Sequence, residues 1–218
     1  TIRGDFGTTM TENLVHLTAE ESVTFATEVV DIAQGLGDHV TVAGLSGGGT
    51  MATWLAQERG DVDVVMSIAP FLGIGFLPAP LNRPVANALR VLPNIWMWWD
   101  PVHKQDNPFA SSYGYRRYPT HALEDLMRLG FAAERDARRV KPLVPDIIMV
   151  TNANDSSVNN AIADAFVKTW RKHGAELVET YEFEEDLGLP HDLITPTRPG
   201  EHTDVVYPVI LGLLGADK

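Results

Sequence analysis

Apolar residues along this chain fall into two rhythms. Short runs rich in β-branched residues, His39-Val-Thr-Val-Ala43, 62–69, 145–151 and 177–183, have the length of strands, and helix-length stretches near 47–59, 156–173 and 202–214 follow them. Ahead of these, apolar residues at 25, 26, 29, 30 and 33 keep helical spacing. Thr18-Ala-Glu-Glu21 is a capping-box pattern at the start of that stretch, and Gly35 and Gly37 mark its end. Strands separated by helix-length connections predict an α/β domain: a mostly parallel sheet flanked by helices, with the last helix packed on the sheet. Between about 71 and 140 the alternation stops. Seven prolines (78, 80, 84, 93, 101, 108 and 119) and the aromatics Trp96, Trp98, Trp99, Phe109, Tyr113, Tyr115 and Tyr118 fall there. The segment reads as a helical cap inserted into a core made of 1–70 and 141–218.

The strongest chemical signal is Gly44-Leu45-Ser46-Gly47-Gly48, placed between a strand-like run and a helix-like one. A strand that reverses sharply into a helix strains its central residue, and small flanking residues let the turn close. Such a turn lifts the Ser46 hydroxyl above the sheet edge, at the positive end of the next helix, where the Gly47 amide can serve an oxyanion. The stretch lacks the Lys of a phosphate-binding P-loop and the spacing of a dinucleotide fingerprint. A serine hydroxyl is a poor nucleophile near neutrality and needs a base, itself oriented by an acid. Asp155 follows the run 145–151, and His191 follows the run 177–183 behind a Gly-Pro-containing turn. Both fall at the same end of their strands as Ser46, where ligand sites form in open parallel sheets. Asp155 also has the position of a helix N-cap, and Asp186 is the fallback acid. Asp192 is adjacent to His191, and neighbouring side chains point apart. The other six histidines, at 16, 39, 103, 121, 173 and 202, have no strand-end position.

Gly44-Leu-Ser-Gly-Gly48, Asn154-Asp155 with Val158, and Pro190-His191-Asp192, in the order Ser, Asp, His, resemble the α/β-hydrolase superfamily, and within it the bacterial carboxylesterases and monoacylglycerol-lipase-like enzymes. The resemblance spans nearly the whole chain. It implies hydrolysis of carboxylic esters, with short to medium acyl or aromatic groups, by Ser46, Asp155 and His191, with Gly47 as oxyanion donor and no metal or organic cofactor. It also implies a lid after the second strand, with Leu45, Phe71, Trp96 and Trp98 shaping the substrate pocket. For any single Trp, a place in a small cap core is the plainer reading. Relatives carry several strands before the elbow strand and a loop that supplies a second oxyanion amide. Here 1–17 contains no convincing strand, so the fold is expected to be shortened at its N-terminus. Thr8, Thr9 or an amide within 4–9 is the substitute at hand. The run 39–43 would then be an exposed edge that invites a second copy, or the chain would be a fragment of a longer one. A non-catalytic binding domain and an acyltransferase using the same three residues are the alternatives.

Composition narrows the partners. A net charge of −12 disfavours nucleic acid, whose binders carry basic patches. The absence of cysteine removes disulfides and thiolate chemistry. With 44% hydrophobic residues in 218, the chain can fill one α/β domain. No apolar run approaches a bilayer span and no charged-then-apolar signal opens the chain. The reading favours a soluble, cytoplasmic protein with a small-molecule ester substrate and no stable membrane insertion.

Overall fold

The computed structural model describes residues 10, 12–107, 114–175, 177–196 and 202–215. Its strands are β1 (Thr41–Leu45), β2 (Val64–Ile68), β3 (Trp96–Trp98), β4 (Arg117–Pro119), β5 (Asp146–Asn152) and β6 (Leu177–Phe183). Its α-helices are α1 (Ala19–Gln34), α2 (Gly47–Glu58), α3 (Asn82–Val91), α4 (Thr120–Ala137), α5 (Asn160–Lys172) and α6 (Thr203–Leu213). Four strands form a parallel sheet in the order β1-β2-β5-β6, and β3 pairs antiparallel with β4 in a separate ribbon.

Successive residues of the central strands enter opposite layers, as the two-residue period of a strand requires. Val65, Ile147 and Met149 join Val30, Leu55, Phe166 and Trp170 on one face, where α1, α2 and α5 pack. Met66, Ile148 and Val150 join Phe183, Val206 and Ile210 on the other, which α6 covers. Both faces are thus buried, so β2 and β5 read as nearly continuous apolar runs. The edge strand β1 differs: Thr41 and Ala43 are exposed, and among the described residues it pairs with β2 alone. Among the described residues no helix is long and apolar enough to cross a membrane.

Local signals explain several boundaries. Thr18 Oγ1 accepts from Glu21 N–H at 3.1 Å and so caps α1. Asp155 does not cap α5; that role falls to Asn159, whose side chain accepts from Ile162 N–H at 3.3 Å. The expected cap segment 71–140 divides. Its first part holds α3 and the β3–β4 ribbon. Its last part, α4, packs in the core layer: Ala133 and Ala137 are buried in the same cluster as Trp170, and Gly130 brings α4 close to Leu72 and Thr50.

The buried Trp170 indole donates to Gln57 Oε1 at 3.0 Å, while Gln57 Nε2 reaches the carbonyls of Val140 and Lys141 at 3.4 and 3.3 Å. Gln57 thereby ties α5 to the chain leaving α4. Trp170→Phe is expected to cost roughly 1–3 kcal/mol, because it strands a buried amide oxygen as well as shrinking the side chain. Urea denaturation checks this; an unchanged midpoint would show that Gln57 finds another donor.

Candidate active site

Ser46 stands between β1 and α2 with φ 56 and ψ −116, a conformation that strains any residue with a Cβ. The surrounding backbone holds it there. Its N–H donates to the Ile68 carbonyl at 3.0 Å, and its carbonyl accepts from Phe71 N–H at 3.0 Å and Thr50 N–H at 2.9 Å. The elbow is therefore fastened to the segment leaving β2. A Cβ built on Gly44 would lie 2.2 Å from the Gly48 carbonyl oxygen, and one on Gly49 would lie 2.9 Å from both Ile68 O and Pro70 Cα. One on Gly48 would meet nothing within 4 Å. The close approaches are thus at 44 and 49, and the expected need for a small residue at 48 is corrected.

Gly47 is the first residue of α2, so its N–H has no partner inside the helix and points along the positive end of the helix dipole. Residues 1–9, including Thr8, Thr9 and the amides of 4–9 considered as a second donor, lie outside the described residues, as do Phe109 and Tyr113.

Asp155 follows β5, with its side chain fully buried. Its Oδ1 accepts from Ser157 N–H at 2.8 Å, which fixes the carboxylate through its own turn. Its Oδ2 lies 2.6 Å from His191 Nδ1. The His191 loop is held by amides at the end of β5: Asn152 Nδ2 donates to the carbonyls of Leu189 and Pro190 at 3.0 and 3.2 Å, and Asn154 Nδ2 to that of Leu189 at 2.9 Å. Asn152 was not legible as a positioning residue, since nothing in the strand pattern distinguishes a buried Asn at a strand end. His191 Nε2 reaches Ser46 Oγ at 2.8 Å. A carboxylate beside Nδ1 selects the tautomer with hydrogen on Nδ1, leaving Nε2 as acceptor of the serine proton.

The alternatives considered for the acid stand elsewhere. Asp192 Oδ1 accepts from the amides of Ile194 and Thr195, and Asp186 sits exposed in a short 3-10 turn. His103 pairs with Asp100 at 2.6 Å between β3 and β4, with no serine beside it among its described contacts.

A cavity of about 360 Å³ opens at Ser46, Gly47 and His191. Leu45 and Phe71 line it, and α4 contributes Leu123 and Leu126. Trp96 and Trp98 do not line it; Trp99 does. The expectation for those two tryptophans is therefore corrected: their rings lie against the Arg117 guanidinium, 4.2 and 5.9 Å from ring centroid to Cζ. Leu14 and Leu17, from a stretch with no strand or helix periodicity, close another side. Tyr118 packs on Trp99 with ring centroids 4.1 Å apart, and burial raises its phenol pKa above the ordinary value, so it stays neutral. Phe71, Trp99, Tyr118 and Leu123 also bound a second apolar cavity of about 380 Å³ beside Ser156 and Ser157. A larger cleft of about 560 Å³ lies between α3 and α4 among Arg83, Arg128, Arg135, Arg138 and Arg139, and shares no lining residue with the Ser46 cavity. The candidate site is chosen by the convergence of Ser46, His191 and Asp155 and not by cavity size.

No protein-family model matches the chain, and no curated protein matches it in sequence. Solved structures do match. A Paleococcus ferrophilus monoacylglycerol lipase superposes with a TM-score of 0.63 at 16% identity, over 92% of this chain and 76% of that one. A structure from a description of the metagenome-derived lipolytic enzymes LipS and LipT gives 0.62 at 17% identity, over 93% and 76%. Est1E from Butyrivibrio proteoclasticus, with ferulic acid bound, gives 0.53 at 17% identity, over 91% and 70%. Identities this low speak for the fold. With its mostly parallel sheet flanked by helices, the chain has the α/β-hydrolase fold.

Proposed function

We propose that this chain is a serine hydrolase that cleaves carboxylic esters through an acyl-enzyme on Ser46. The observation that carries the proposal is the unbroken relay from Ser46 Oγ to His191 Nε2 at 2.8 Å and from His191 Nδ1 to Asp155 Oδ2 at 2.6 Å. As Ser46 Oγ attacks the ester carbonyl carbon, its proton passes to His191 Nε2. The buried Asp155 carboxylate stabilises the imidazolium and holds its plane. The tetrahedral oxyanion accepts a hydrogen bond from Gly47 N–H. Collapse breaks the C–O bond to the alcohol, which leaves with the proton from Nε2. Water then attacks the acyl-enzyme, again giving a proton to His191, and the acid departs as Ser46 regains its hydrogen.

The cavity supports a largely apolar substrate: Leu45, Phe71, Leu123 and Leu126 offer no polar side-chain atom, and Trp99 with Tyr118 presents aromatic faces. Short to medium acyl or aromatic groups suit a space of about 360 Å³.

Fluorophosphonate labelling tests the proposal, since the reagent demands an activated serine and little substrate specificity. Intact mass and peptide mapping are expected to find one phosphonyl group per chain, on Ser46, and none in Ser46→Ala. A folded protein that stays unlabelled would overturn the reading.

A further inference from the structure

The cavity at Ser46 contains a cation that ester hydrolysis does not use. Arg117, at the start of β4, is the only permanently cationic residue among the described residues that line it. Its side chain is 19% exposed, and its buried Nε has no hydrogen-bond partner. A guanidinium withdrawn from water is costly unless its donors are filled. Trp96 and Trp98 fix the cation from the side of its π-face, which orients the fork without occupying an N–H.

The ion pair present is a poor match for this group. Glu12 is 80% exposed and offers one oxygen to Nη2 at 3.2 Å. Exposed one-point pairs of this kind contribute little. Nη2 and Nε lie on the same edge of the guanidinium and together suit a bidentate carboxylate. Glu12 takes Nη2 alone, and Nε stays buried without a partner. The carboxyl group in the lining, Asp192, has its Oδ1 held by the Ile194 and Thr195 amides.

We propose that Arg117 is a specificity residue that receives a second, ionised carboxylate carried by the substrate, so that the preferred esters are monoesters of dicarboxylic acids. The proposal rests on the ester-hydrolase reading of the same cavity. The distal carboxylate displaces Glu12 from Nη2, while the connecting methylenes lie along the apolar wall and the ester carbonyl reaches Ser46.

The test compares the mono-4-nitrophenyl ester of adipic acid with 4-nitrophenyl hexanoate, which differ only by a carboxylate in place of the terminal methyl. The wild-type ratio of kcat/KM, acidic over neutral ester, is expected to exceed one and to fall about tenfold to a hundredfold in Arg117→Gln, chiefly through KM. Glu12→Gln, at an exposed position outside the core, is expected to raise the same ratio by removing the competitor. A purely structural Arg117 would move neither ratio, because both esters share one fold and one leaving group. Equal wild-type handling of the two esters, or a ratio untouched by Glu12→Gln, overturns the proposal. Adipate binding to Ser46→Ala, followed by tryptophan fluorescence, reads the site without catalysis. Saturable binding that Glu12→Gln tightens supports it, and no binding at tens of millimolar adipate overturns it. Fluorophosphonate labelling with no charge preference sinks the Arg117 assignment alone; no labelling sinks the hydrolase reading.

Discussion

Ser46→Ala is expected to lower kcat for 4-nitrophenyl ester hydrolysis by roughly 10⁴–10⁶, with thermal stability unchanged. The size follows from the relay: without Oγ there is no acyl-enzyme, and His191 and Asp155 have nothing to activate, so what remains is binding and whatever oxyanion stabilisation survives. Stability is spared because the Ser46 side chain makes no helix-capping hydrogen bond, and Ala bears the same backbone strain as Ser at φ 56. Ser46→Gly, which relieves that strain, is expected to melt higher than wild type while being just as inactive. Asp155→Asn is expected to cost about 10⁴ in kcat with the fold intact, because an amide in place of the carboxylate favours the wrong imidazole tautomer. Purified wild type and the three variants, compared by initial rates and calorimetry, separate chemistry from folding. Substantial hydrolysis by Ser46→Ala would assign the activity to another group.

The parts of this site that were legible in the sequence are those fixed by local rules. The Ser46 elbow is written in consecutive residues, Asp155 stands just after one apolar run, and His191 follows another behind a short turn. What escaped depends on phase and on distant contacts. Ile95-Trp-Met-Trp-Trp99 looks alike in either register, and only the pairing of Trp96 with Pro119 and Trp98 with Arg117 decides it. A two-residue period then puts 96 and 98 on one side, against Arg117, and 97 and 99 on the other, where Met97 and Trp99 line the second cavity. The core role of α4 was obscured differently. Ala122, Leu126, Leu129, Ala133 and Ala137 keep helical spacing, but they sit amid acids and arginines in a stretch whose prolines and aromatics read as cap. Leu14 and Leu17 belong to no periodic pattern at all, so only tertiary packing brings them to the cavity. At residue 155 the error was one of competition: Asx chemistry suits both Asp155 and Asn159, and Asn159 stands next to the first helical residue.

Gly44→Ala is expected to destabilise the protein by about 4 kcal/mol or more, whereas Gly48→Ala is expected to be neutral or to stabilise it by about 0.5–1 kcal/mol. Both glycines belong to the elbow motif, yet their surroundings are opposite. The added Cβ at 44 would meet backbone atoms of Gly48 at 2.2 and 2.4 Å, and backbone cannot rotate away as a side-chain tip can. Relief requires β1 to move from α2, which shifts Ser46 from His191. A displacement of about 1 Å there is itself worth about 10²-fold in rate. At 48 the Cβ enters open space, and Ala in place of Gly lowers the entropy lost on forming the helix. Gly49→Ala should behave like Gly44→Ala, since its Cβ would strike Ile68 O and Pro70 Cα at 2.9 Å. Urea midpoints and fluorophosphonate labelling rates on the three variants test this ordering. If Gly48→Ala proved as damaging as Gly44→Ala, the glycine would be needed for conformational freedom, and the clash account of the elbow would fail. The expected ordering instead makes the elbow a contact between two backbones, in which Gly44 and Gly49 matter more than Gly48.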